Sequence, residues 1–217
     1  MVSSQQIFIR SIASRDSSDG LPLAAFRAAD IFDACGFDTV IIETVGTGQN
    51  QIDVLQAAHT VIAVSAPGLG DGIQAMKSGL MDVADIHAVT KSDLEGAAIT
   101  LLDIQNAVHM RQGNTEQIGH WTADVLPVSG LTGDGISELH HTIMEHLRFL
   151  QKGENMQQRC HSMMTARIHR ETIDALTRSL TSTLDGGESA AIQQLIQRKT
   201  TPGRVTDEIL GRYKKET

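Results

Sequence analysis

The chain holds no apolar stretch approaching the ~20 residues that a membrane-spanning helix needs. Its opening residues, Met1-Val2-Ser3-Ser4-Gln5-Gln6, lack the basic and apolar segments of a secretory leader, and the cytoplasm is the expected compartment. Only two cysteines occur, Cys35 and Cys160, with no C-x-x-C spacing, so reduced, packed thiols are expected. Aromatics make up 3 % of the chain, which leaves the core to Leu, Ile, Val, Ala and eight Met. Positive charge is also short. The 18 basic residues face 26 acidic ones, a net −8 that argues against nucleic acid or an anionic membrane as partner. Finally, no G-x-x-x-x-G-K-[ST] occurs in the 217 residues. That loop cradles polyphosphate with backbone N–H groups, one Lys and one Ser/Thr hydroxyl.

What is present is a regular alternation. Short apolar runs at 6–10, 39–42, 60–65, 86–89 and 125–128 read as strands. The run Thr39-Val40-Ile41-Ile42 is β-branched and apolar, as for a strand buried on both faces. Between the runs, 22–35, 73–80, 97–110 and 136–150 read as helices, the last with Ile136, Leu139, Ile143, Leu147 and Leu150 at spacings of three and four. Such alternation predicts an α/β fold, a mainly parallel sheet with flanking helices, over residues 1–150. From 151 to 217 no strand signal remains. A long helix over 154–184 and two short ones at 189–199 and 202–213 predict a helical arm, suited to packing on a partner surface or a second copy of the chain.

Three turns at the carboxyl ends of the predicted strands carry polar chemistry, the place where such sheets bind ligands. Glu43-Thr44-Val45-Gly46 follows the 39–42 run. An acidic residue there can lie near Mg²⁺, and a glycine three positions on can turn its N–H toward a terminal phosphate. Gly48 adds freedom to the turn and Gln49 could orient water, although a solvated loop glutamine fits as well. Thr90-Lys91-Ser92-Asp93 follows the 86–89 run. A carboxylate there can accept from N1–H and the 2-amino group of guanine, a donor pair that adenine lacks. Lys91 would lay its alkyl stem along the base. The bland alternative is a helix N-cap at Ser92 or Asp93. Ser129-Gly130 follows the 125–128 run, its small residues letting backbone N–H groups approach the base oxygen; Ser-Gly is also ordinary turn chemistry. Asp71, Gln74 and Lys77 recur at a spacing of three, along one side of a helix after a glycine-rich turn. The nine histidines do not suggest a metal site: His140 and His141 stand six and five positions from His146, off its helical face.

At these residues the chain resembles a known family, the P-loop GTPases that accompany methylmalonyl-CoA mutase, the MeaB/ArgK group. The stretch 36–49, GFDTVIIETVGTGQ, is similar to its signature around the phosphate-sensing glutamate. The stretch 68–85, GLGDGIQAMKSGLMDVAD, resembles its mobile segment, with Asp71, Gln74 and Lys77 as the matching polar residues. The stretch 90–97, TKSDLEGA, resembles its guanine-reading loop, with Thr90 where Asn is usual. Thr201-Pro202 and residues 207–210 resemble the end of a dimerising arm.

The resemblance implies GTP and GDP as ligands, with Mg²⁺ at or through water on Glu43. It implies Gly46 as γ-phosphate sensor, Lys91, Asp93, Ser129 and Gly130 around the base, and Gln49, Asp71, Gln74 and Lys77 as switch or partner residues. It implies a GTP-dependent chaperone of an adenosylcobalamin-dependent acyl-CoA mutase, homodimeric through residues 151–217. The family's front portion with the phosphate loop has no counterpart here. The chain alone is therefore expected to bind GTP weakly and not to hydrolyse it. A non-hydrolysing interaction protein that binds the mutase is the alternative.

Overall fold

The computed structural model describes residues 7–13, 21–44, 57–68, 84–112, 121–184, 193–207 and 211. The chain divides into two compact units, Met1–Ala166 and Arg167–Thr217. In the first, helix α1 (Leu23–Ala34) precedes strands β1 (Ile62–Ser65) and β2 (Ile86–Val89), helix α2 (Ala97–Gln112), strand β3 (Asp124–Pro127) and helix α3 (Ile136–Leu150). Helix α4 (Asn155–Leu184) then runs on into the second unit.

The sheet is parallel, in the order β1-β2-β3, with Ile62 beside Ile86 and Ile86 beside Asp124. All four residues of β2 are buried, as expected of a central strand covered on both faces. Val89 packs with Ile104 and Val108 of α2, backed by Leu101, Ala107, Ala123 and Val125. This core is aliphatic, as the composition requires. Helix α2 packs on β2 and β3, and so does α3. Helix α3 carries Glu138 in its first turn and Arg148 in its last, both favourable to the helix dipole. Helix α1 stops at Gly36, whose φ of +83° closes the last turn while its N–H donates to Asp33 O.

Two expected strands do not form. Residues 7–10 and 39–42 carry no ladder. Ile7, Ile9 and Ile41 are 66, 69 and 88 % exposed. A strand is held by its neighbour's ladder more than by its own β-branched sequence. Among the described residues β1 is the sheet edge, paired only with β2, so neither run has a partner. The first run packs elsewhere: Phe8 meets Phe32 of α1 edge-on at 5.4 Å, and Phe32 meets Phe37 at 5.6 Å. On β1, Val64 stays 62 % exposed.

At the amino edge of the sheet the strands are tied by one carboxylate. Val61, just before β1, donates its N–H to Asp85 Oδ2 at 2.8 Å. Arg159 of α4 donates to the same oxygen through Nη2, and through Nε to His59 O at 3.0 Å. Asp85 Oδ1 lies 3.4 Å from His146 Nε2. Trp121, just before β3, donates Nε1–H to the Asp85 carbonyl at 2.7 Å. His146 is 1 % exposed, with Thr60 Oγ1 2.9 Å from its Nδ1 and the Trp121 ring edge-on at 4.8 Å.

The second unit is helical where described. Ion pairs one turn apart, Arg167–Glu171 and Asp174–Arg178, line α4, and helical turns follow at 193–196 and 202–207. Among the described residues no helix is long and apolar enough to cross a membrane.

Candidate functional site

The carboxyl edge of the sheet gathers the polar turns that follow β2 and β3. The turn after β2 is pinned on both sides. Thr90 donates its N–H to Ser65 O at 2.8 Å and its hydroxyl to the same oxygen at 3.1 Å. Ser92 donates its N–H to Val128 O at 3.1 Å, and Val128 donates to Val89 O at 2.9 Å. The turn is thereby stitched to the ends of β1 and β3. Thr90 stands where the resembling loop has an amide, and its hydroxyl does the tying to β1. Lys91 adopts φ +55°, a left-handed conformation that costs a residue with a Cβ about 1–2 kcal/mol. Ser92–Asp93 turns into α2, with Leu94 N–H returning to Lys91 O at 3.0 Å.

Ser129 is fully buried and its hydroxyl donates to Asp93 Oδ1 at 2.5 Å. Ser129 Oγ in turn accepts the N–H groups of Leu131 and Thr132, each at 3.2 Å. The Ser129 N–H goes to Asp134 O at 2.9 Å, and Gly133 N–H returns to Ser129 O at 2.9 Å. With its N–H spent inside the loop, Ser129 meets Asp93 through its hydroxyl. Asp93 is exposed, with Oδ1 held by the Ser129 hydroxyl. Gly130 has open space where a Cβ would stand, so packing does not demand glycine there. Thr132 caps the loop by donating to Asp134 Oδ2 at 2.7 Å.

Replacing Ser129 with Ala removes the donor to Asp93 and strands the N–H groups of Leu131 and Thr132. A loss of ~1–3 kcal/mol is expected, from the cost of buried donors without acceptors. Urea denaturation measures it. Ser129→Thr keeps the hydroxyl and should recover part of it, less the strain of an added methyl in a fully buried site.

Glu43 is exposed and no strand precedes it, contrary to the expectation of a buried strand ending in an acid. No hydrogen bond or ion pair among the described residues joins it to Asp93 or Ser129. Gly46, Gln49, Asp71, Gln74 and Lys77 lie outside the described residues, as does the expected helix at 73–80. Among the described residues no three His, Cys, Asp or Glu gather into a metal-sized cluster. Mg²⁺ is commonly held by one or two carboxylates together with substrate phosphates, and a single solvent-facing Glu43 suits that mode rather than a prebuilt cage.

The Asp85, His146 and Arg159 network has no local signature in the sequence. Asp85 stands 61 residues from His146 and 74 from Arg159, and no local pattern spans such gaps.

Comparison with known proteins follows the same lines. The family model described as Methylmalonyl Co-A mutase-associated GTPase MeaB matches residues 1–185. A protein of Pyrococcus horikoshii described as a candidate GTPase is 44 % identical over 146 residues, 67 % of this chain and 46 % of its own length. GTPase ArgK of Escherichia coli is 32 % identical over 154 residues, 70 % of this chain and 46 % of its own length. The crystal structure of an LAO/AO transport system kinase superposes with a TM-score of 0.62 at 22 % identity, over 88 % of this chain and 62 % of that one, a likeness of fold. The chain thus spans about half the length of the curated relatives it matches.

Proposed function

The chain belongs to the methylmalonyl-CoA mutase-associated GTPase family, and from that premise we propose that it carries the guanine-reading half of a GTP-dependent mutase chaperone. The observation that carries this reading is the Asp93 carboxylate, aimed by buried Ser129 at the carboxyl edge of a parallel sheet. Asp93 accepts from N1–H and the 2-amino group of guanine, and Lys91 flanks the base. Glu43 holds Mg²⁺ directly or through water once phosphates are present, and the ion neutralises phosphate charge there. Gly46 senses the γ-phosphate. Gln49, Asp71, Gln74 and Lys77 answer to nucleotide and bias an adenosylcobalamin-dependent acyl-CoA mutase toward taking up or releasing cofactor. Residues 151–217 form the arm of a homodimer.

Base recognition is separable from phosphate chemistry. The 217 residues contain no G-x-x-x-x-G-K-[ST], so the transition-state charge on a γ-phosphate finds no Walker-type lysine here. The chain by itself is expected to bind GTP weakly and to leave it unhydrolysed. Calorimetry with GTP and Mg²⁺ checks this, and micromolar affinity for the isolated chain would refute it. The missing motif also favours a second reading, an interaction protein that binds the mutase without turning over nucleotide. Adding a phosphate-loop segment in trans separates the two, since only the first reading expects hydrolysis to appear.

Asp93→Asn tests the base contact directly. An amide presents a donor where the carboxylate had only acceptors, so it repels the guanine 2-amino group and donates to the C2 carbonyl of xanthine. Preference for GDP over XDP should fall by about 10–100-fold, the worth of a charge-assisted hydrogen bond. Competitive NMR titration at millimolar nucleotide reads it. An unchanged ratio would remove Asp93 from the base site.

A further inference from the structure

The amino edge of the sheet holds a second constellation of charge, remote in the fold from the turns that follow β2 and β3. Its members are the carboxylate of Asp85, the imidazole of His146 on α3 and the guanidinium of Arg159 on α4. A deprotonated carboxylate only accepts, so the His146 nitrogen facing it, Nε2, carries the proton, and Nδ1 accepts the Thr60 hydroxyl. Neutral His146 is thus satisfied at both nitrogens, and the enclosed charge is one carboxylate against one guanidinium. A second proton on the ring would place two cations around a single carboxylate.

The three side chains differ in how easily they leave. Their side chains are 2 % exposed for His146, 16 % for Asp85 and 21 % for Arg159. Asp85 is held further by the Val61 N–H on its side chain and by Trp121 on its carbonyl. Arg159 is the member nearest solvent, on a long side chain with an always-charged head. When the site must shed a cation, Arg159 goes and the imidazolium keeps the carboxylate.

We propose that Asp85, His146 and Arg159 form an acid-sensitive latch: neutral His146 leaves the carboxylate to Arg159 and holds the opening turns of α4 on the sheet, and protonated His146 takes the carboxylate and releases them. Burial is the largest influence on His146 and lowers its pKa from the ordinary 6.5; Asp85 acts against this and Arg159 with it. The latch therefore holds at neutral pH and opens on the acid side of 6.5. His59 lies against the opening of α4, its Nε2 3.9 Å from Cys160 Sγ and its carbonyl accepting from Arg159 Nε. At the start of β3, burial first and Glu145 of α3 second hold the Asp124 carboxyl above its usual range. A carboxyl raised in the folded state favours folding as pH falls, the opposite sense to His146. Overall stability against pH mixes the two, so a local reporter is needed.

Trp121 supplies it. It is the sole tryptophan of the chain, and its ring lies against that of His146, where an imidazolium quenches indole emission. The experiment titrates Trp121 emission and the His146 imidazole NMR signal from pH 8 to 5 in the full chain. Amide exchange at residues 155–162 is followed over the same range. Emission should fall with a midpoint below 6.5, and exchange in these turns should quicken at that midpoint. Arg159→Gln should move the midpoint to higher pH, because the competing cation is gone, and should leave the turns in fast exchange at every pH. His146→Gln should abolish the emission step. Should that variant fail to fold, Asp85→Asn decides equally, since loss of the attracting charge must move the midpoint down. An emission step without faster exchange, or a midpoint indifferent to Arg159→Gln, would overturn the latch.

Discussion

Gly135→Ala is expected to cost the chain about 3 kcal/mol or more and, with it, to weaken the guanine recognition proposed for Asp93. Gly135 precedes α3 with φ +74°, a left-handed conformation that costs a Cβ-bearing residue ~1–2 kcal/mol. Space is tighter still. A Cβ there would stand 2.0 Å from Pro127 O, 3.0 Å from Pro127 C and 3.2 Å from Val128 Cα. All three are backbone atoms, so no side chain can swing aside, and the end of β3 must shift, at a typical overpacking cost of ~1–3 kcal/mol. Against a total stability of about 5–15 kcal/mol for a domain, the sum is a large loss. The shift falls on the segment that leads into Ser129, whose hydroxyl aims Asp93. Nucleotide discrimination should therefore drop together with the urea midpoint. Gly133→Ala is the control. Its φ is +85° but nothing lies within 4 Å of the added Cβ, so only the conformational cost of ~1–2 kcal/mol remains. Equal losses from the two substitutions would show that the close approach at Pro127 is not what Gly135 serves.

Gly135 also shows what kind of information the sequence carried. Gly133-Asp134-Gly135 reads as ordinary turn chemistry, and only the fold reveals which of the two glycines touches a strand. Helices with a sustained period of three and four were legible: α3 spans the expected 136–150, and α2 starts at the expected Ala97. Strand β2 was legible because a central strand is apolar throughout. The runs at 7–10 and 39–42 have the same composition yet form no ladder, because strandness belongs to a pair and composition reports on one member. The site divides the same way. Asp93 could be picked out as an acid at a strand end. Its partnership with Ser129 could not, because the hydroxyl arrives from 36 residues away and is fixed by the register of β2 with β3. Thr60, Asp85, Trp121, His146 and Arg159 meet only because three strand beginnings and two helices share an edge. No spacing along the chain encodes that meeting.

Asp85→Ala should be the most damaging single change at the amino edge, at about 3 kcal/mol. The Val61 N–H loses its acceptor, and Val61 is 4 % exposed, so an orphaned buried donor costs ~1–3 kcal/mol. Arg159 loses its carboxylate, but at 21 % exposure the freed guanidinium can reach water, which holds this part to ~1 kcal/mol. The Trp121 bond survives, since its acceptor is the Asp85 main-chain carbonyl. Asp85→Asn separates the hydrogen bond from the charge. Its amide oxygen can keep the Val61 N–H, so a smaller loss of about 1 kcal/mol is expected near pH 8. The acid limb then distinguishes wild type from Asn. A histidine whose folded pKa is lowered contributes stability above the unfolded value, lost as pH falls through the folded one. Asp85 is the influence that raises the His146 pKa, so the Asn variant has the lower folded value and loses more stability between pH 6.5 and 5. Urea midpoints for the two proteins should diverge as pH falls. Parallel curves would mean that Asp85 and His146 do not share a charge balance, and the 3.4 Å between them would then be packing alone.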